Sequence, residues 1–147
     1  MKLVSPGDLK HSELTGRIIS VFYAVYNELG HGFMESVYEE AMTIALRESG
    51  IKVQRQLALP VWFRGQKVGD FKADMLVEEA VLLELKCVRV FEPFHEAQLL
   101  HYLKSTEIEV GLLLNFGPSA HSRRLVFANE RKTIGVNPRK SAAGIAS

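Results

Sequence analysis

The chain has 147 residues, 47% of them hydrophobic and 24% charged, with a formal net charge of +1. This composition excludes a disordered chain, and a length near the usual domain size of about 100–150 residues predicts a single domain with one core. Near-neutrality excludes long-range attraction to nucleic acid or anionic membrane, so any nucleic-acid affinity must come from a local patch. No apolar run approaches the roughly 20 residues that span a bilayer, and the start "MKLVSPGDLK" lacks the apolar core of a signal peptide. The single cysteine, Cys87, leaves no internal disulfide and argues against a thiolate metal site. A cytoplasmic protein with no membrane partner is expected.

From His11 to Leu29 the apolar residues Leu14, Ile18, Phe22, Val25 and Leu29 recur three and four apart, which predicts an amphipathic helix. "LGHG" ends it, because Gly30 and Gly32 can take up the left-handed geometry of a helix terminus. A second helix is predicted from about Met34 to Glu48, with Val37, Ala41 and Ile44 or Ala45 facing inward and Gly50 as the stop. Two strands follow, "KVQRQLALPVWF" and "QKVGDFKADMLV", joined by Arg64 and Gly65, and a third, "AVLLELKCV", comes after Glu78 and Glu79. Pro60 places the first strand at an edge or at a bulge. Phe94 to Lys104 reads as a helix with Leu99, Leu100 and Leu103 on its apolar side, and "EVGLLLNFG" and "HSRRLVFAN" read as closing strands. The domain is expected to cover residues 1–128. Residues 129–147, rich in Lys, Arg, Pro, Ala, Gly and Ser without period, are expected to form a loosely ordered tail.

The third strand holds an anomaly. "VLLELK" places Glu84 and Lys86 inside an aliphatic run, although charged residues are seldom fully buried without a partner or a metal. Alternation puts both on one face, with Leu82, and puts Val81, Leu83, Leu85 and Cys87 on the other. If Glu78, Glu79 and Ala80 form the connection, Val77 pairs with Val81 and Asp74 falls opposite Glu84, their β-carbons about 5 Å apart. A two-residue turn would instead send them to opposite faces. Facing carboxylates repel, and a hard divalent cation that takes one or two carboxylates and keeps its waters would resolve the repulsion. Lys86 would then stand where charge develops on a phosphate.

These residues resemble a known pattern. Asp74, nine residues, then Glu84-Leu85-Lys86 is similar to the Asp…Glu-x-Lys signature of the PD-(D/E)XK nuclease superfamily, and "GFMESVY" (Gly32–Tyr38) resembles the motif that names its GxxExxY protein family. "VGDFKADMLVEEAVLLELK", "HEAQLLHYLK" and "VGLLLNFG" resemble that family's later blocks, in the same order, so the resemblance spans about residues 11–127. It implies an α/β fold with a restriction-endonuclease-like core: a mixed sheet of about five strands flanked by helices, in the order ααβββαββ. It also implies Mg²⁺- or Mn²⁺-dependent hydrolysis of nucleic-acid phosphodiesters, with DNA as the favoured polymer, by in-line attack of a metal-bound water. Residue by residue it makes Asp74 and Glu84 metal ligands, Lys86 the catalytic lysine, and Glu35 a helical acid that reaches the metal directly or through water. Gln98 and Tyr102, one helical turn apart, resemble the Gln-x-x-x-Tyr element of RecB-like nucleases. They would orient the lysine or touch the phosphate backbone. Ala73 stands where the signature has proline.

Plainer readings stand beside these. Asp74 and Lys86 could form a cross-strand ion pair on a solvated face. Glu35 suits the first turn of any helix, where acids complement the dipole. Gln98 and Tyr102 could be ordinary surface residues. His11, His31, His95, His101 and His121 have no metal-ligand spacing, Cys87 reads as a core residue, and Arg123, Arg124, Arg131, Lys132, Arg139 and Lys140 read as a solvated surface and tail. The alternative function is a nuclease fold used as a binding or assembly module without turnover. A chain this short has little material beyond a catalytic core, so reading duplex sequence would require a homodimer or a protein partner to add surface.

Overall fold

The computed structural model describes residues 10–132. Two helices, α1 (Ser12–Leu29) and α2 (Glu35–Glu48), precede β1 (Val53–Phe63), β2 (Gln66–Val77) and β3 (Val81–Lys86); α3 (Pro93–Lys104), β4 (Val110–Phe116) and β5 (Ala120–Val126) follow. The five strands form one sheet in sequence order. All neighbours are antiparallel except β3 and β4, which run parallel because α3 carries the chain back between them. This is the mixed five-stranded sheet and the ααβββαββ order of a restriction-endonuclease-like core.

The layers follow from apolar periodicity. Ile18, Phe22 and Val25 of α1 and Tyr38, Met42 and Leu46 of α2 pack on one sheet face against Val81, Leu83, Leu85, Val110, Leu112, Leu114 and Phe116. Leu99 and Leu103 of α3 cover the other face, over Leu82 and Leu113. β3 and β4 are thus buried on both sides, which is why they read as continuous apolar runs. The inward face of α2 differs from the sequence expectation. Val37 is 38% and Ile44 51% exposed, while Tyr38, Met42 and Leu46 are fully buried. The larger side chains take the interior because Tyr38 stacks on Phe116 at 4.3 Å between ring centres. Leu29 is also exposed, whereas Tyr26 one turn earlier donates its hydroxyl to Gly117 O at 2.7 Å. On α3, Leu99 and Leu103 are buried and Leu100 is only half-buried.

Both predicted turns close as required. Arg64 and Gly65 have φ of 47° and 76°, the mirror-image geometry that matches strand twist in a two-residue hairpin. β1 lies at the sheet edge and also bulges, between Val61 and Trp62, so Pro60 costs no central ladder bond. Of the expected tail, residues 129–131 form a 3₁₀ turn held by Asn129 N–H to Glu109 Oε2 at 2.8 Å; residues 133–147 lie outside the described range.

Asn115, fully buried next to Lys86 in the β3–β4 register, ties down the chain leaving the site. Its Oδ1 accepts from Val88 N at 2.9 Å and Gly117 N at 3.1 Å, and its Nδ2 donates to Val88 O at 2.7 Å. A β-carbon on Gly117 would lie 1.9 Å from Val88 O, so backbone must move. Gly117→Ala is expected to destabilise the fold by about 1–3 kcal/mol, read as a lower urea midpoint.

Candidate active site

The β2–β3 turn decides whether two acids meet. Glu78 and Glu79 both adopt left-handed backbone (φ 51° and 55°), and Ala80 N–H closes the turn on Val77 O at 2.9 Å. Val77 therefore pairs with Val81, Leu76 with Leu82 and Met75 with Leu83. One step further the ladder stops, and side chains replace it: Leu85 N–H donates to Asp74 Oδ2 at 2.9 Å, and Asp74 N–H to Glu84 Oε1 at 3.4 Å. The carboxylates thus occupy the split between the strands and satisfy amides that the ladder has released. Simple alternation does not describe this point, because Phe71 and Ala73 pack on the α3 side whereas Met75 and Val77 pack under α1 and α2.

Asp74 lines a small cleft of about 170 Å³ with Glu35, Ser36, Glu39, Gln56 and Leu85. Glu35, the first residue of α2, is exposed and is presented by a loop that Tyr38 pins. The Tyr38 hydroxyl donates to Gly30 O at 2.6 Å and accepts from Phe33 N at 3.3 Å, and Gly32 takes φ 113°. The Gly, Glu and Tyr of "GFMESVY" therefore serve as a left-handed turn, a cleft acid and a core anchor. Glu84 shares its sheet face with Leu82 and meets the α3 side, where burial raises the pKa of Tyr102, the Gln98 hydrogen bond opposes that shift and the charge of Glu84 adds to it. Tyr102 stacks on Phe71 and is hydrogen-bonded by the Gln98 side chain; Gln98 itself is exposed.

The electrostatics set this site apart from a solvated ion pair. Glu84 is 8% exposed, and burial, reinforced by the charge of Asp74, pushes its pKa up to about 8; the Asp74 N–H and Lys86 pull against that shift. Burial also raises Asp74, with the charges of Glu39 and Glu35 acting the same way and the Leu85 N–H and Lys86 opposing. Two acids raised by burial, with the charge of Asp74 raising Glu84 further, favour a cation beside them. The residues fit a hard divalent ion that takes two carboxylates and otherwise keeps its waters. Among the described residues no three His, Cys, Asp or Glu side chains gather closely enough to hold one ion, so Glu35 shares the cleft with Asp74 without completing a three-ligand set.

Other candidates have structural duties. His95 is buried and its Nδ1 accepts from Glu92 N at 2.9 Å in a capping box. Cys87 is half-buried against the α1–α2 side. Arg123 pairs with Glu96 at 3.4 Å, Arg124 donates to Lys10 O, Arg131 covers the Phe127 ring, and Lys132 donates to Thr106 O and Ile108 O. Arg139 and Lys140 lie outside the described residues. Glu39 and Gln56 also line the cleft, and neither belongs to a motif in the sequence. Glu39 was legible in principle, one helical turn after Glu35 and so on the same face. No sequence signal marks Gln56, which adopts left-handed backbone (φ 50°) within a strand.

The geometry has a counterpart among known families. The profile of the PD-(D/E)XK nuclease superfamily matches residues 12–125, a span that holds the paired acids, Lys86 and every strand but the last residue of β5. The chain belongs to the PD-(D/E)XK nuclease superfamily. A solved structure described as "Crystal structure of SSO0001" is similar at 18% identity, with a TM-score of 0.49, over 98% of this chain and 78% of that one. No curated protein matches significantly. No helix among the described residues of this superfamily member is long and apolar enough to cross a membrane.

Proposed function

We propose that the chain is a nuclease of the GxxExxY group that hydrolyses nucleic-acid phosphodiesters, with DNA as the favoured substrate, in the cytoplasm and through one domain over residues 1–128. The observation that carries this reading is the meeting of Asp74 and Glu84 in the split between β2 and β3, with Lys86 two residues on. A bound Mg²⁺ or Mn²⁺ would supply charge neutralisation and an activated water. Asp74 and Glu84 would hold that ion, each carboxylate accepting from a backbone amide. Glu35 would reach the site from α2, directly or through water. Lys86 places its ammonium against the charge that grows on the phosphoryl oxygens during in-line displacement. Gln98 and Tyr102 act from the α3 side, Tyr102 contacting substrate and Gln98 holding its hydroxyl. The experiment is cleavage of end-labelled DNA and RNA, single- and double-stranded, with Mg²⁺ or Mn²⁺ and with EDTA. Metal-dependent products are expected; none with either metal on any substrate overturns the reading.

One observation favours the second reading, a nuclease fold that binds or assembles without turnover: among the described residues no three-ligand metal set is preassembled. Calorimetric titration separates the two. Binding of Mn²⁺ that disappears in Asp74→Asn supports the enzyme, and no binding at millimolar metal supports the module, with a second copy or another protein as its partner.

A further inference from the structure

We propose that Gln56 and Glu39 are positioning residues for Asp74, a strut running from α2 through β1 to the acid on β2. The inference rests on the nuclease reading for its catalytic consequence and on hydrogen bonding alone for its structural one.

Adjacent residues of a regular strand point to opposite faces. Arg55 and Gln56 are adjacent in β1, yet both reach the same carboxylate: Gln56 Nε2 donates to Glu39 Oε1 at 2.6 Å and Arg55 Nη2 to Glu39 Oε2 at 3.1 Å. The left-handed backbone of Gln56 makes this possible by turning its side chain to the α2 side. A non-glycine residue holds that conformation only where its surroundings enforce it. Here the enforcement is Glu39, buried on α2 and held through its second oxygen by Arg55, which also pairs with Glu40 at 2.7 Å.

The consequence falls on Asp74. In the β1–β2 register Arg55 pairs with Met75 and Leu57 with Ala73, and the position skipped between them sets Gln56 against Asp74. Below this point the odd-numbered residues Val53 and Val77 face the α1–α2 side, with Leu76 on the α3 side; above it the odd-numbered Leu57 and Ala73 face the α3 side. The reversal occurs where Asp74 leaves the ladder and its Oδ2 accepts from Leu85 N. Glu39 shares the cleft of Asp74, and its carboxylate is already committed to two donors. Its role is therefore to orient rather than to bind a metal. Outer-shell partners of this kind commonly change metal affinity or activity by about 10–100-fold.

The test uses the full chain, with Gln56→Ala and with the exchange variant Glu39→Gln/Gln56→Glu, which keeps an amide-to-carboxylate hydrogen bond between the two positions. Hydrogen exchange of the Leu85 amide, followed by NMR without metal, reports the Asp74 contact directly. Mn²⁺ titration and kcat against KM report its use. Gln56→Ala is expected to speed Leu85 exchange and weaken Mn²⁺ binding by about tenfold each, with the loss in kcat rather than KM, and the exchange variant to recover most of both. Leu85 exchange and Mn²⁺ affinity equal to wild type in Gln56→Ala would overturn the proposal, as would failure of the exchange variant to recover either. If wild type neither binds Mn²⁺ nor cleaves, the nuclease reading and the metal half of the proposal fall together, while the Leu85 measurement decides the positioning of Asp74 on its own.

Discussion

Lys86→Ala and Asp74→Asn are each expected to lower kcat for phosphodiester cleavage by at least about 10²-fold, the loss typical of removing one group that stabilises transition-state charge. The two variants should differ in mechanism. Lys86 contributes to charge on the phosphate, so its alanine variant should bind Mn²⁺ nearly as well as wild type. Asp74→Asn removes a ligand charge and should lose metal binding as well. Neither loss is explained by unfolding. Asn keeps an acceptor for the Leu85 amide now bonded at 2.9 Å and removes repulsion with Glu84, so the melting temperature of Asp74→Asn should equal or exceed that of wild type. Glu13→Gln, at the start of α1, serves as the remote control. Wild-type cleavage rates in both Lys86→Ala and Asp74→Asn would remove the assigned roles.

The metal-free protein should lose stability as the pH rises from about 5 to 8. The pKa of Glu84 lies at about 8 in the folded state, against 4.5 for an ordinary glutamate. Between those values the folded chain keeps a proton that the unfolded chain has released, so each step up in pH favours unfolding; above about 8 this group contributes no further change. The loss from Glu84 is on the order of a few kcal/mol, and the raised pKa of Asp74 acts in the same direction. Thermal melts in EDTA should show the decline for wild type and a flatter profile for Glu84→Gln, the difference between the two isolating this residue. Mg²⁺ should oppose the decline, because its ligands must be deprotonated and metal affinity therefore rises with pH. At 100 times Kd the ion adds roughly 2.7 kcal/mol. A wild-type melting temperature in EDTA that tracks Glu84→Gln from pH 5 to 8 would refute the burial-driven shift.

Both results depend on the register of β2 against β3. The sequence left the register to the length of the connection; three residues between Val77 and Val81 set it, and the ladder then ends at Met75 and Leu83, one step short of Asp74 and Glu84. Legible directly were Pro60, whose missing amide confines it to an edge or a bulge, and Arg64-Gly65, whose glycine suits a left-handed turn. The inward face of α2 was less legible. Val37 and Ile44 satisfy a helical apolar period as well as Tyr38, Met42 and Leu46 do, and periodicity alone does not choose between two overlapping stripes. Phe116, from a strand 78 residues after Tyr38, makes that choice by stacking.

By itself the sequence determined the order of elements and the placing of Glu84 and Lys86 on one strand face, because these follow from period and alternation; the mixed sheet was implied by the family resemblance, and the approach of Asp74 to Glu84 depended on the loop. Tertiary structure decided how the two acids are held. Asp74 accepts from the Leu85 amide where the ladder has opened, and across from it β1 is left-handed at Gln56, whose side chain donates to Glu39 on α2. A left-handed glutamine has no local signature; a contact between a helix and an edge strand sustains it, and such contacts exist only once the chain has packed.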